Sequence, residues 1–193
     1  MAQDIPVYLF TGFMDSGKTT LVEETLFENN FGDGSKGIII MCEDGEKEYD
    51  EAKLATINFK LVTVEEEEDF TLQNCRKSRT PISRNKFLSS TTVPGGWTSC
   101  LSKNAGGWVI VQSLATVDST TYDLYMNNMR AMMQEQVFSS DVVIFNRTDD
   151  DTDRGHLRRT IKNINGKHRS SMSARTERLM SARRNYRLIS IRM

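Results

Sequence analysis

Residues Gly12-Phe-Met-Asp-Ser-Gly17-Lys18-Thr19 fit the spacing G-x-x-x-x-G-K-[ST], directly after the apolar run Ile5-Pro-Val-Tyr-Leu-Phe10. That spacing serves phosphate chemistry. Gly12 and Gly17 permit backbone angles forbidden to a residue with a Cβ, so successive N–H groups around Asp15 and Ser16 can turn inward on an anion. Lys18 would reach the β/γ oxygens of a nucleotide, Thr19 would offer its hydroxyl to Mg²⁺, and Thr20 would open the following helix. The second constellation is Asn146-Arg147-Thr148-Asp149, directly after Asp141-Val-Val-Ile-Phe145. It resembles N-K-x-D, in which the Asp carboxylate accepts two hydrogen bonds from the guanine N1–H and 2-amino groups. Adenine offers neither donor in that arrangement. Arg147 stands where the motif has Lys, and its aliphatic stem and guanidinium plane can lie along a base in the same way.

These groups need elements that hold them. Strand and helix signals alternate, which predicts an α/β domain: a mostly parallel sheet flanked by helices, as in P-loop NTPases. Ile5–Phe10 reads as a buried strand, and Thr20–Glu28 as a helix whose N-terminal dipole faces the phosphates. Further strands are expected at Gly37–Met41, Phe59–Val64, Trp108–Gln112 and Asp141–Phe145. Between Thr120 and Val137, the residues Tyr122, Tyr125, Met126, Met129, Met132 and Met133 recur at three- and four-residue spacing. They predict the longest helix, with one apolar core-facing side.

With 193 residues, 38% hydrophobic and 26% charged, and a formal net charge of -1, the composition is that of a soluble cytoplasmic protein. No apolar stretch approaches the ~20 residues that span a bilayer, and no signal-peptide pattern opens the chain, so no membrane partner is expected. Cys42, Cys75 and Cys100 lack metal-ligand spacing. His156 and His168 are expected to be isolated and solvated.

The motifs resemble those of the CobW-type GTPases, the cobalamin-synthesis-associated family of nucleotide-dependent metallochaperones. The resemblance runs from about Ile5 to Asp69 and from about Gly107 to Ile164. It rests on Phe10-Thr-Gly-Phe-Met-Asp-Ser-Gly-Lys-Thr-Thr20, on Cys42-Glu-Asp-Gly-Glu-Lys-Glu-Tyr-Asp50 and on Phe145-Asn-Arg-Thr-Asp149. The middle stretch is similar to the family's E-x-G-x-x-x-x-D segment, with Glu43, Gly45 and Asp50 in place. The resemblance implies GTP and Mg²⁺ as ligands, Asp50 beside Thr19 near the Mg²⁺ or its water shell, and GTP hydrolysis coupled to metal delivery to a metalloenzyme client. The family's C-x-C-C motif is absent, which removes the usual transition-metal ligands.

Two segments depart from the pattern. After Asp69, no acidic residue occurs until Asp118, while Arg, Lys, Ser and Thr crowd in. The family has a hydrophobic strand here, ending in a carboxylate and resembling V-F-I-E-Y-N-G-x-W. Lys86-Phe-Leu-Ser-Ser-Thr-Thr-Val-Pro-Gly-Gly-Trp97 does not read as that strand, so the sheet is expected to lack one central strand. Lys86 to Pro94 can be encoded AAG TTT TTA TCG AGT ACA ACG GTA CCT, followed by GG from Gly95. Read from the third base, this string translates as Val-Phe-Ile-Glu-Tyr-Asn-Gly-Thr-Trp, the family strand. A coding-frame slip across about residues 72–104 would account for the departure. The tail repeats the symptom: His168 to Met193 holds seven Arg and one acidic residue, with no sustained period. In the same shifted sense, Arg169 onward yields Ile-Val-Tyr-Glu-Arg-Ala-Asp-Gly.

The expected organisation is a nucleotide-binding domain over residues 1–166 and an atypical basic tail over 167–193, out of frame or disordered. A nucleic-acid arm would explain the tail charge, yet no aromatic interleaving or groove-reading motif accompanies it. Two other functions share the phosphate loop. An ATP-dependent kinase or ATPase would not need Asp149, and a non-catalytic fragment would bind nucleotide without turning it over.

Overall fold

The computed structural model describes residues 5–27, 31, 35–42, 48–64, 86–91, 108–165 and 189–192. In chain order they form β1 (Ile5–Thr11), α1 (Lys18–Phe27), β2 (Gly37–Met41), α2 (Glu51–Thr56), β3 (Phe59–Thr63) and β4 (Lys86–Thr91). Then come β5 (Trp108–Asp118), α3 (Tyr122–Asn128), α4 (Arg130–Phe138), β6 (Val142–Asn146), α5 (Arg154–Ile164) and β7 (Ile189–Arg192). One sheet runs in the order β3-β2-β4-β1-β5-β6-β7. Every pairing is parallel except β6 with β7. The chain is thus a parallel α/β structure, as its alternating signals predict.

Alternation along the strands divides the core between the two faces of the sheet. Ala115, Val117, Val143 and Phe145 pack with Tyr122, Met133, Val137, Leu157 and Ile161 of the helices after β5 and β6. Phe10 and Ile39 pack with Val22 and Leu26 of α1, Leu54 of α2 and Phe59. The pairs Val22/Leu26 and Leu157/Ile161 lie four residues apart, so each helix offers one buried stripe. Asp50 and Asp153 begin α2 and α5 as N-caps, accepting from Lys53 N at 3.0 Å and His156 N at 2.8 Å.

Three expectations require correction. The central slot between β1 and β2 is filled: β4 pairs with β1 from Val7↔Phe87 to Thr11↔Thr91, and with β2 from Gly37↔Lys86 to Met41↔Ser90. The physical reason is the backbone. β5 occupies the far edge of β1 and β3 that of β2, so their facing edges present polar groups that only another strand satisfies. A ladder of that kind does not require a long apolar run. Second, the expected helix over Thr120–Val137 is broken at Met129, whose φ is -131° and ψ 40°. Asn127 and Asn128 immediately precede the break, and Asn competes with the helix ladder through its side-chain amide. The apolar face divides accordingly. Tyr122 and Met133 are buried, whereas Met129 is 46% exposed and Met132 38%. Among the described residues the longest helix is instead α5, with 11 residues. Third, the tail contains a strand: β7 runs antiparallel to β6, with Phe145↔Ile189 and Val142↔Arg192 in register. The rest of the tail, and the shifted reading from Arg169, lies outside the described residues.

Phe145 is fully buried and meets Tyr122 edge-on at a centroid distance of 5.4 Å. Phe145→Ala should cost about 3–5 kcal/mol, a large share of a typical net stability of ~5–15 kcal/mol. Urea denaturation followed by circular dichroism measures it, and a loss below about 1 kcal/mol would contradict this packing.

Candidate functional site

The loop between β1 and α1 is built at the C-terminal edge of the sheet, where open α/β sheets bind ligands. Its backbone is left-handed or otherwise glycine-favouring at three points: Gly12 (φ 151°), Asp15 (φ 56°) and Gly17 (φ 96°). A Cβ on Gly12 would collide with the Thr116 carbonyl of β5, and one on Gly17 with the Asn146 side-chain amide. The glycines therefore let the loop lie directly against β5 and β6. Leu21 N bonds to Gly17 O at 3.0 Å, which starts α1 with its free N–H groups toward the loop.

Lys18 is buried, and its ammonium donates to Gly12 O at 2.8 Å and to Phe13 O at 2.7 Å. A positive charge is thus fixed beneath the loop. Ser16 Oγ is buried without a protein partner, and such a hydroxyl is readily satisfied by a ligand oxygen. Thr19 and Thr20 lie in the first turn of α1, both partly buried. Thr20 lines a small cleft behind the loop with Gly17, Leu21, Glu24, Thr116, Ile144 and Asn146.

The second motif meets the first. Asn146 ends β6, is buried, and donates from Nδ2 to Ser16 O at 3.2 Å across 130 residues of chain. Its Oδ1 accepts from Arg147 N at 2.7 Å, holding Arg147 in a left-handed conformation with φ 54°. Asp149 is exposed. Its Oδ1 accepts from Thr152 Oγ1 at 2.6 Å, and Thr152 Oγ1 in turn accepts from Asp149 N at 3.0 Å. The Thr152 hydroxyl holds the Asp149 carboxyl below the ordinary carboxylate range, so it is an ionised acceptor at neutral pH.

Other expected residues have different surroundings. Asp50 is exposed and caps α2, which is the role the structure assigns its Oδ1. Glu43 and Gly45 lie outside the described residues, as does His168. Cys42 is half-buried, and among the described residues no group of three or more His, Cys, Asp or Glu could hold a metal ion. The donor set for a transition metal is therefore absent there. His156 is not isolated: its Nε2 lies 3.1 Å from Asp123 Oδ1. Among the described residues, no helix is long and apolar enough to cross a membrane.

Sequence reasoning missed the turn after β5. Asp118 stands opposite Asn146 in the β5–β6 register, and its buried carboxylate pairs with the Arg147 guanidinium. Ser119 N donates to Asn146 O at 3.0 Å, and Ser119 Oγ to Arg147 O at 2.9 Å. A signal existed: Asp118 is the first acidic residue after a long run without one, at the end of an apolar strand.

Residues 6–67 match the family model described as CobW/HypB/UreG, nucleotide-binding domain. Among solved structures, the Zn(II)-bound YjiA GTPase from E. coli has a TM-score of 0.63 at 24% identity, over 89% of this chain and 58% of that one. A Zn(II)-bound triple mutant of YjiA GTPase gives 0.62 at 21% identity, over the same shares of each chain. The chain thus spans 58% of the length of these two proteins. No curated protein matches its sequence. Residues 6–67 are accordingly similar to the CobW/HypB/UreG nucleotide-binding domain, and the chain has the P-loop NTPase-like fold of the YjiA structures.

Proposed function

We propose that the chain binds GTP with Mg²⁺ in the manner of CobW-type GTPases, Gly12–Thr20 taking the phosphates and Asn146–Asp149 the guanine. The observation that carries this reading is the bond from Asn146 Nδ2 to Ser16 O, which joins the base-reading turn to the phosphate loop. Lys18 supplies fixed positive charge for the β/γ-phosphates, Ser16 Oγ and the loop amides satisfy phosphate oxygens, and Asp149 accepts from the base edge. Thr19, in the first turn of α1, would hold Mg²⁺, with Asp50 as the outer partner that the family resemblance implies. Mg²⁺ bound there would neutralise charge between the β- and γ-phosphates.

Asp149→Asn replaces one acceptor by a donor facing guanine donors and should cut GTP affinity roughly 10- to 100-fold with little effect on ATP. Titration with fluorescent GTP and ATP analogues reads the ratio. An unchanged ratio would count against guanine recognition by Asp149, and a wild type that binds ATP at least as well as GTP would support an ATP-directed kinase or ATPase instead.

A second reading is favoured by one feature: β4, the central neighbour of β1, contains no Asp or Glu in Lys86–Thr91. P-loop hydrolases commonly draw a metal- or water-positioning carboxylate from such a strand. This chain should therefore bind GTP but turn it over slowly, on the order of 10⁻³ s⁻¹ or less. Single-turnover assays with γ-labelled GTP check this.

The parent reading frame is part of the proposal. The shifted translation puts Val-Phe-Ile-Glu-Tyr on the residues that form β4, and its Glu falls across Ser89 and Ser90, toward the C-terminal edge. The parent would be a hydrolase that delivers a metal ion, as substrate, to a client in the cytoplasm. The Zn(II) bound by YjiA is in keeping with that. Mass spectrometry of the protein from its source cells should give a peptide containing Val-Phe-Ile-Glu-Tyr-Asn-Gly-Thr-Trp. Recovery of Phe87-Leu-Ser-Ser-Thr-Thr-Val-Pro-Gly-Gly-Trp97 would remove the frame slip and leave the slow GTP binder.

A further inference from the structure

The turn after β5 carries a second layer of the site. Asp118 is 7% exposed, and both oxygens of its carboxylate are held by directed partners. Oδ1 accepts from Thr120 N at 2.9 Å and Thr120 Oγ1 at 2.7 Å, which fixes the carboxylate plane, and Oδ2 takes the Arg147 guanidinium. The Arg147 side chain remains 48% exposed, so its head is tied while much of its length is open to solvent. Its backbone is held too, by Asn146 Oδ1 at the N–H and Ser119 Oγ at the carbonyl, in a left-handed conformation costly to a residue with a long side chain. Three contacts thus fix one partly exposed cation two residues before Asp149.

We infer that Asp118 is a positioning residue for nucleobase selection, holding Arg147 by its guanidinium so that its stem forms one wall of the purine site beside Asp149. This inference rests on the guanine reading of Asn146–Asp149. It explains why Arg, not Lys, suits this turn: a guanidinium reaches a buried carboxylate in fixed planar geometry, whereas an ammonium does so only as a point charge. Freed from Asp118, Arg147 would sample many rotamers, and ordering it would oppose base binding. The phosphate loop, held through Ser16 and Gly17, would be unaffected.

The test compares wild type, Asp118→Asn, Arg147→Met and the double variant, each checked for fold by circular dichroism and titrated with fluorescent GTP and ATP analogues. Asp118→Asn is expected to lower the GTP/ATP affinity ratio roughly tenfold, with ATP affinity within about twofold of wild type. Arg147→Met, at a half-exposed side chain, should lower the ratio similarly, and the double variant should be no worse than Arg147→Met alone. A folded Asp118→Asn protein with the wild-type ratio overturns the inference, as does equal loss for both nucleotides, which marks a purely structural role. If Asp118→Asn does not fold, an Arg147→Met protein with the wild-type ratio overturns it equally. Wild type that binds GTP no better than ATP overturns the guanine reading itself, and this inference with it.

Discussion

The close approach of the phosphate loop to the ends of β5 and β6 is the constraint on which the site depends. Gly12 lies against the Thr116 carbonyl and Gly17 against the Asn146 amide, so neither position has room for a side chain. The Asn146–Ser16 bond exists only because β1 and β6 flank β5 with their C-terminal ends at one edge. Parallel pairing brings every such end to the same side, and right-handed crossover helices return the chain for each new strand. Two candidate binding elements that are distant in sequence are thereby made neighbours.

The sheet's interior is governed by backbone satisfaction as much as by apolar burial. β1 and β2 cannot pair with each other while β4 lies between them, and β4 completes both ladders with a strand whose composition is largely polar. On the other side, the β1–β5 register slips between Val7 and Tyr8, where Val111 is the extra residue on β5. Such a bulge adds twist and shifts the strand's later residues along β1. Downstream of it, Leu114 and Ala115 face Phe10 and Thr11, so Thr116 and Asp118 end beside the loop.

Charge is arranged in two tiers at that edge. Lys18 is buried beneath the phosphate loop on two carbonyls, while Asp149 is an exposed carboxylate kept ionised by Thr152. Between them, the Asp118–Arg147 pair places a buried acid against a half-exposed base. A carboxylate so buried is tolerated because charge-assisted and hydroxyl hydrogen bonds replace its hydration.

Local backbone demands were legible from residue types alone. Glycines at a fixed spacing, an apolar run before them and a helix after them predict the loop, because strand, turn and helix each depend on contiguous residues. The strands at Gly37–Met41 and Val142–Asn146 were readable for the same reason, as near-continuous apolar runs buried on both faces. What only the folded chain decided is non-local. β4 and β7 are strands because an unpaired edge awaited them, not because their composition announces one. Asp118 meets Arg147 29 residues later through strand register, and the break at Met129 sets Met133 inward while Met129 and Met132 face water. Periodicity reports which residues share a face, but the partner that face or edge meets is fixed only when distant strands align.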